Sequence, residues 1–399
     1  MQDVSWISKL AIRPSYGLVG LLADNVSNNL PVFRNVITDR FNPSTRENAI
    51  NIEDLQNTEL TWEKTFEFNL GLEAGFFNNR ISFVADAYSR KGEDLIDVVR
   101  TSGIGGERLK LANNATMNTK GLEFQLNTEN IVTPNFKWNT TINLSYFDQE
   151  ITELQQKPNV LDLVSSTGGN AIGFPRGALF SFQFDKLDDR GLPNFIFNDD
   201  RDPVTGIDFQ EIEDIQDYLK YEGSIEPNFT GGISNNFSYK NWNLSFFATF
   251  SAGNKIRLHP YYSSNYTDLS VFPKEFTDRW LAPGDENRTT IPVIPSQRLI
   301  NEVGVNEIRR AYNAYNFSSE RIADGGFVRM KNISLSYAFS KEALDLIHLS
   351  TLKLTFQATN PFLIYSDKKL QGQDPEFFRT GGVSYPVAKQ YTFSLNLGF

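Results

Sequence analysis

From Tyr391 to Phe399 the sequence YTFSLNLGF sets Tyr391, Phe393, Leu395, Leu397 and Phe399 at alternate positions, with Thr392, Ser394, Asn396 and Gly398 between them. A period of two puts the five apolar side chains on one face of a strand and the small polar ones on the other. The same alternation recurs upstream. In FKWNTTINLSY, Phe136, Trp138, Ile142, Leu144 and Tyr146 share a face against Lys137, Asn139, Thr141, Asn143 and Ser145. TFEFNLGLEAGFF, WNLSFFATF, KNISLSYAF and TLKLTFQA read alike, beginning at Thr65, Trp242, Lys331 and Thr351. The second face is persistently Asn, Ser, Thr, Gln and Glu, which calls for water rather than a protein core.

Connections between these segments alternate in length. Short ones are FFNNR, with Asn78-Asn79 as a hairpin signal, NIVTPNF around Pro134, YKNW, and SKEALDLIHLS, where Ser340 can cap a single helical turn. Long ones, rich in Gly, Pro, Asp and Asn, run through residues 21–60, 100–115, 155–227, 259–326 and 366–388. Short turns at one end and long loops at the other, joined by strands of about 9–11 residues, are the pattern of a transmembrane β-barrel. Counting back from Phe399 gives about ten strands, the first being SKLAIRPSYGLVG; the count closes if GALFSFQFDKL and PNFIF form a hairpin inside the 155–227 excursion. Phe76, Phe77, Phe136, Trp138, Tyr239, Trp242 and Phe339 sit beside the short turns, where a barrel carries its interfacial aromatic girdle. The alternative is cross-strand pairing in a soluble sheet.

Composition narrows the chemistry. The 399 residues include 33 Phe and 15 Tyr at a mean hydropathy of only -0.36, and the apolar runs fall far short of the ~20 residues of a spanning helix. A barrel passes this test, since only every second strand residue faces lipid. With no Cys, disulfides, zinc–thiolate sites and thiol catalysis are excluded, and two His leave little imidazole chemistry. A net charge of -10 argues against nucleic acid as a partner. The opening MQDVSWISKL has no basic segment followed by an apolar one, so any export signal is expected upstream of this sequence.

Candidate sites are few. Asp199, Asp200, Asp202 and Asp208 gather in NDDRDPVTGIDF, where calcium is the metal to consider against a plain acidic turn at Pro203 and Gly206. Tyr261, Tyr262 and Tyr266, in HPYYSSNY, offer rings to a ligand or a lid, with packing among loops as the other role. Glu67, Glu73 and Glu123 are expected on the lumen face. They can be read as paired acids for glycoside hydrolysis or as the lining of a water-filled interior. His259 and His348 are expected near opposite barrel ends, and the glycine pairs of GGERLKL and STGGNAIG lack phosphate-loop spacing.

Six stretches, in order, resemble the C-terminal part of the SusC/RagA family of TonB-dependent outer-membrane transporters of Bacteroidota. They are NTELTWEKTFEFNLGLEAGFFNNRISFVADAYSRKGEDLI, NTKGLEFQL, PNFTGGISNNFSYKNWNLSFFATFSAGNKI, DRWLAPGDEN, DGGFVRMKNISLSYAF and DPEFFRTGGVSYPVAKQYTFSLNLGF. The resemblance implies an all-β fold: a transmembrane antiparallel β-barrel in which residues 1–399 supply about ten C-terminal strands of 22. The plug domain, TonB box and signal peptide of the family are absent from this sequence. It implies import of large nutrients, oligosaccharides or peptides, with a SusD-like lipoprotein lid and energy delivered through TonB, and neither enzymatic activity nor a cofactor. The alternative is an accessory scaffold subunit of a larger outer-membrane complex; a soluble β-rich carbohydrate-binding protein or hydrolase is the rival outside the family. Further partners implied are outer-membrane lipid, a separate upstream barrel half if the barrel is split, and the barrel-assembly machinery. The last would read Tyr391, Phe393, Leu395, Leu397 and Phe399 as a C-terminal insertion signal.

Overall fold

The computed structural model describes residues 6–21, 32–39, 46–54, 57–103, 109–213, 215, 219–262, 272–377 and 388–399. Its strands are β1 (Ile7–Leu21), β2 (Val32–Asp39), β3 (Arg46–Asp54), β4 (Glu63–Phe76), β5 (Ile81–Arg100), β6 (Leu109–Val132), β7 (Phe136–Leu154), β8 (Ala178–Leu187), β9 (Pro193–Ile196), β10 (Leu219–Ser224), β11 (Phe229–Tyr239), β12 (Trp242–Ala252), β13 (Lys255–Arg257), β14 (Ile322–Asp324), β15 (Phe327–Ala338), β16 (Thr351–Ser366) and β17 (Gln390–Gly398). Ten of them form one antiparallel sheet in the order β1-β4-β5-β6-β7-β11-β12-β15-β16-β17, each paired with the next. Within that sheet β1 and β17 have one neighbour each, so the described strands do not close a barrel.

The register fixes the two faces. Trp138, Phe237, Leu244, Leu335, Phe356 and Phe393 lie side by side across six strands, and the neighbouring row is Asn139, Asn236, Ser245, Ser334, Gln357 and Thr392. One face is therefore a continuous apolar surface and the other a polar one. Among the described residues no second sheet covers the apolar face: Phe393 is 82% exposed and Leu244, Leu335 and Leu354 are exposed too. A sandwich would have buried them; hydrocarbon is the environment that suits such a surface.

The connections follow the expected asymmetry. At one end the strands turn through Asn78 and Asn79, both with left-handed φ, through residues 133–135, through Lys240 (φ 50°), and through a short helix, Lys341–Leu346, with Ser340 at its N-cap position. Trp6–Phe76, Trp138–Phe237 and Trp242–Tyr337 ring pairs, 5.6, 5.5 and 4.7 Å between centroids, band this end, so girdle and cross-strand pairing coincide. At the other end β5 and β6 stay paired as far as Arg100 and Leu109, so half of the expected 100–115 connection is strand. The 21–60 connection contains the β2–β3 hairpin. GALFSFQFDKL and PNFIF do pair antiparallel, as β8 and β9, outside the ten-stranded sheet in a small sheet of order β10-β8-β9.

The two longest excursions are not separate loops. The described parts of 155–228 and 253–326 fold together into a lobe whose core includes Val160, Leu163, Phe180, Phe182, Ile308 and Tyr315. Ile308, Ala311, Tyr312 and Tyr315 fall at i, i+3, i+4 and i+7 of the helix Val305–Asn316 and are all buried, one apolar stripe turned to that core. Gly304, at φ 113°, separates this helix from Gln297–Val303; a Cβ there would meet the Glu307 carboxylate. Asn159 and Asp162 form a reciprocal capping box at the start of the helix Val160–Val164. The excursions are tied by Phe182 N donating to Phe317 O at 3.1 Å, and the second is braced within itself by Tyr261 N and Tyr262 N donating to Asn316 Oδ1 at 3.0 and 3.1 Å.

Candidate functional site

The polar face of the sheet is the candidate site, and alternation places its side chains. On β1 and β4, Lys9 and Arg13 both reach Glu73, the Arg13 contact being 2.7 Å. Arg90 of β5 donates to Glu67 at 2.6 Å and lies 4.2 Å from the centroid of the Tyr88 ring. Asp86 of β5 stands directly opposite Glu123 of β6. A groove of about 710 Å³ runs from this carboxylate pair across Asn143, Gly232 and Thr249 to Asn254 and Glu376.

The far wall of the groove is made by the segment after β16, folded back against the sheet. Arg329, buried on β15, is paired with Asp374 and approaches Glu376 Oε2 at 3.2 Å. Lys331 Nζ donates to both oxygens of Glu376 at 2.9 Å. Asp367 anchors the segment by accepting from Asp324 N at 2.7 Å and Lys369 N at 2.9 Å, and Leu370 packs on Ile256 and Ala323. Burial pushes the Asp367 carboxyl up, but the two amides with Lys369 and Lys255 outweigh this and hold it below the usual aspartate value.

Of the expected lumen acids, Glu67 and Glu73 are bound by cations and Glu123 faces Asp86. Tyr261 is 5% exposed, its ring under the Arg321 guanidinium at 3.6 Å, and burial raises its hydroxyl pKa. Tyr261 packs within the core of the lobe. Tyr262 is half-buried with its ring 4.5 Å from that of Tyr312, and Tyr266 lies outside the described residues.

The acidic turn uses its own carboxylates. Asp199 pairs with Arg201 at 2.5 Å, while Asp202 Oδ1 accepts from Val204 N, Thr205 N and Thr205 Oγ1 at 2.9, 2.7 and 2.9 Å. Donation from Thr205, chiefly its amide, holds the Asp202 carboxyl below its usual value. Asp200 is exposed, and among the described residues no group of His, Asp and Glu is arranged to hold a metal ion. His348 lies beyond the short helix at one end and His259 in the lobe at the other. Tyr391, Phe393, Leu395, Leu397 and Phe399 line the outer face of β17, all exposed.

A second buried group that sequence reading missed is Arg257, which bonds Phe180 O, Ser181 Oγ and Ser318 O. Burial pulls its guanidinium down to about 9, against the attraction of Glu222 and with repulsion from Arg321. Asp86, Arg329, Lys331, Asp374 and Glu376 were missed as well; the parity of β5 relative to Glu123 was the one available sign for Asp86.

Comparison with known proteins agrees with this architecture. Residues 25–179 match the family described as TonB dependent receptor-like, beta-barrel. The fold is that of a TonB-dependent-receptor barrel. The whole chain aligns with the TonB-dependent receptor SusC of Bacteroides thetaiotaomicron at 26% identity over 38% of that protein, and with the TonB-dependent receptor P3 of Formosa agariphila at 25% over 40%. It also superposes on a chain of the RagAB peptide transporter with a TM-score of 0.76, at 23% identity, covering all of this chain and 42% of that one. The resemblance to SusC and RagA drawn from the sequence is thus matched by relatives along its full length. The chain spans about two-fifths of the length of these receptors, which are named as receptors and transporters rather than enzymes.

Proposed function

We propose that this chain forms part of a SusC-like outer-membrane transporter barrel that imports a large nutrient beneath a SusD-like surface lipoprotein, with energy supplied through TonB. The observation that carries the reading is the six-strand apolar row from Trp138 to Phe393, exposed on one face, with a polar, ion-paired wall behind it. Such a sheet requires lipid on one side and water on the other. Its two edge strands must also find partners, since each unpaired backbone group in hydrocarbon costs several kcal/mol. No covalent chemistry is involved: the wall supplies hydrogen-bonding groups along a path, and the mechanism is gated passage.

The SusC and RagAB likeness suggests the lid and the cargo class, peptide or oligosaccharide. The ion-clamped segment Asp367–Phe377, fixed inside the wall, favours a second reading as a scaffold subunit in which the path is closed. Both are tested in the native membrane complex. Outer-membrane fractionation, co-purification of a surface lipoprotein and uptake of labelled oligopeptides into cells are expected for the transporter. Lipoprotein association with no uptake of peptides or oligosaccharides would establish the scaffold reading instead, and a monodisperse chain without detergent would sink both.

A further inference from the structure

We propose that the lipid-facing side of the sheet carries a seat for one phospholipid, with an acyl chain in a groove across β15 and β16 and the phosphate at the turn before β12. The register builds the groove. Trp242, Tyr337 and Leu354 stand side by side in one row, and Leu335, Phe356 and Phe393 do so in the next row on that face. Trp242 and Tyr337 pair at 4.7 Å between ring centroids, and Phe356 and Phe393 at 4.9 Å. The two ring pairs are therefore set diagonally, with the shorter side chains of Leu335 and Leu354 between them. A groove of about 370 Å³ results, and all six residues line it. Leu335 and Leu354 stay exposed at its floor, so nothing among the described residues fills it.

The surroundings of the groove select its occupant. It is continuous with the apolar rows that meet hydrocarbon, where the medium is acyl chain rather than water. Hydrophobicity does not favour one lipid position over another in such a medium, so retention comes from packing and from the headgroup. Trp242 opens β12 and Tyr337 comes one residue before the end of β15, which puts the groove at the short-turn, periplasmic end. There Tyr239 and Trp242 face one another across the turn that carries Lys240, and Lys240 N donates to Asn135 O at 2.9 Å, which fixes the turn. Lys240 Nζ lies 5.5 Å from the Tyr239 ring centroid, and among the described residues it has no carboxylate partner. The Trp242 indole N–H and the Tyr337 hydroxyl likewise have no hydrogen-bond partner among the described residues. One cation and two ring donors at headgroup depth suit a phosphate, with the chain it carries running into the groove. An apolar protein surface would fill the groove but leave these three donors unmatched.

The seat rests on the membrane reading of the sheet and is independent of transport. The test uses the native complex, extracted in detergent and washed free of loosely held lipid, with dioleoylphosphatidylglycerol as probe and native mass spectrometry as the readout. The wild type is expected to bind one molecule more tightly than the rest. Leu354→Trp, which puts a ring on the floor of the groove, is expected to weaken that binding about tenfold. Lys240→Ser is expected to weaken it about fivefold, the scale of one lysine at a lipid surface. Leu122→Trp, on the same face of β6 and about as exposed as Leu354, is expected to leave it unchanged. Heat-modifiable electrophoretic migration checks that each variant is folded, and Lys240→Ser, outside the strands, carries the test if Leu354→Trp does not insert. Unchanged affinity in a folded Leu354→Trp or Lys240→Ser variant, or an equal loss in Leu122→Trp, overturns the seat and leaves transport standing. Release of a second copy of the chain by Leu354→Trp would show the groove covered by protein and also overturn it. A complex monodisperse without detergent overturns the membrane reading and the seat together.

Discussion

Phe356 and Phe393 face one another across β16 and β17 with ring centroids 4.9 Å apart, yet Phe393 keeps four-fifths of its surface exposed. Pairing with β16 alone therefore does not shelter the Phe393 ring; the medium outside must. A charge placed in their row pays the full transfer cost. Leu335→Arg, in that row, is expected to lower barrel stability in bilayers by about 2–4 kcal/mol if it lies near the midplane. Ser334→Arg, one residue away on the polar face, should cost under about 1 kcal/mol. Urea unfolding in lipid vesicles, followed by the loss of heat-modifiable migration, reads both values.

The lobe has its own point of failure. Arg257→Ala removes a buried guanidinium from Phe180 O, Ser181 Oγ and Ser318 O, leaving acceptors that water cannot easily reach. The expected cost is about 2–4 kcal/mol, confined to the lobe. Limited proteolysis should then cut within residues 155–228 and 253–326 while the strands of the wall stay protected. Uniform protection, or collapse of the whole sheet, would contradict the independence of the lobe core from the wall.

Acid should loosen the turn at Asp202 before the sheet. Its folded carboxyl sits below the usual value of 3.8, held there mainly by the Thr205 amide. A depressed folded value means that the stabilisation is present above 3.8 and is lost as pH falls through the folded value. Hydrogen exchange at the Val204 and Thr205 amides, corrected for intrinsic rates, should show protection falling over that range. Asp202→Asn should remove the pH dependence.

The wall was legible in the sequence because its signal is a strict period of two sustained over many residues, with turn chemistry at Asn78-Asn79 and Lys240-Asn241 marking the ends. Both faces follow from that alone, whereas the count of about ten strands also needed GALFSFQFDKL and PNFIF to pair outside the wall. The lobe was harder: its stripe of Ile308, Ala311, Tyr312 and Tyr315 has helical spacing, but it occupies barely two turns inside a stretch that otherwise reads as loop. Its partners, Phe180 and Phe182, lie about 130 residues away in the chain. The groove's charges were partly visible, since Glu123 falls on the polar face by parity. What parity cannot tell is which acid meets a cation, and that is decided by cross-strand register and by Arg329 and Lys331 reaching a segment that returns from beyond β16.

The joining of Phe182 to Phe317 also constrains how the protein can be made. Between those residues the polypeptide descends and climbs again as β11 and β12, so the outer lobe is threaded through a hairpin of the wall. Exchanging one half for the corresponding stretch of another protein without its mate should therefore expose the apolar core around Phe182 and Ile308.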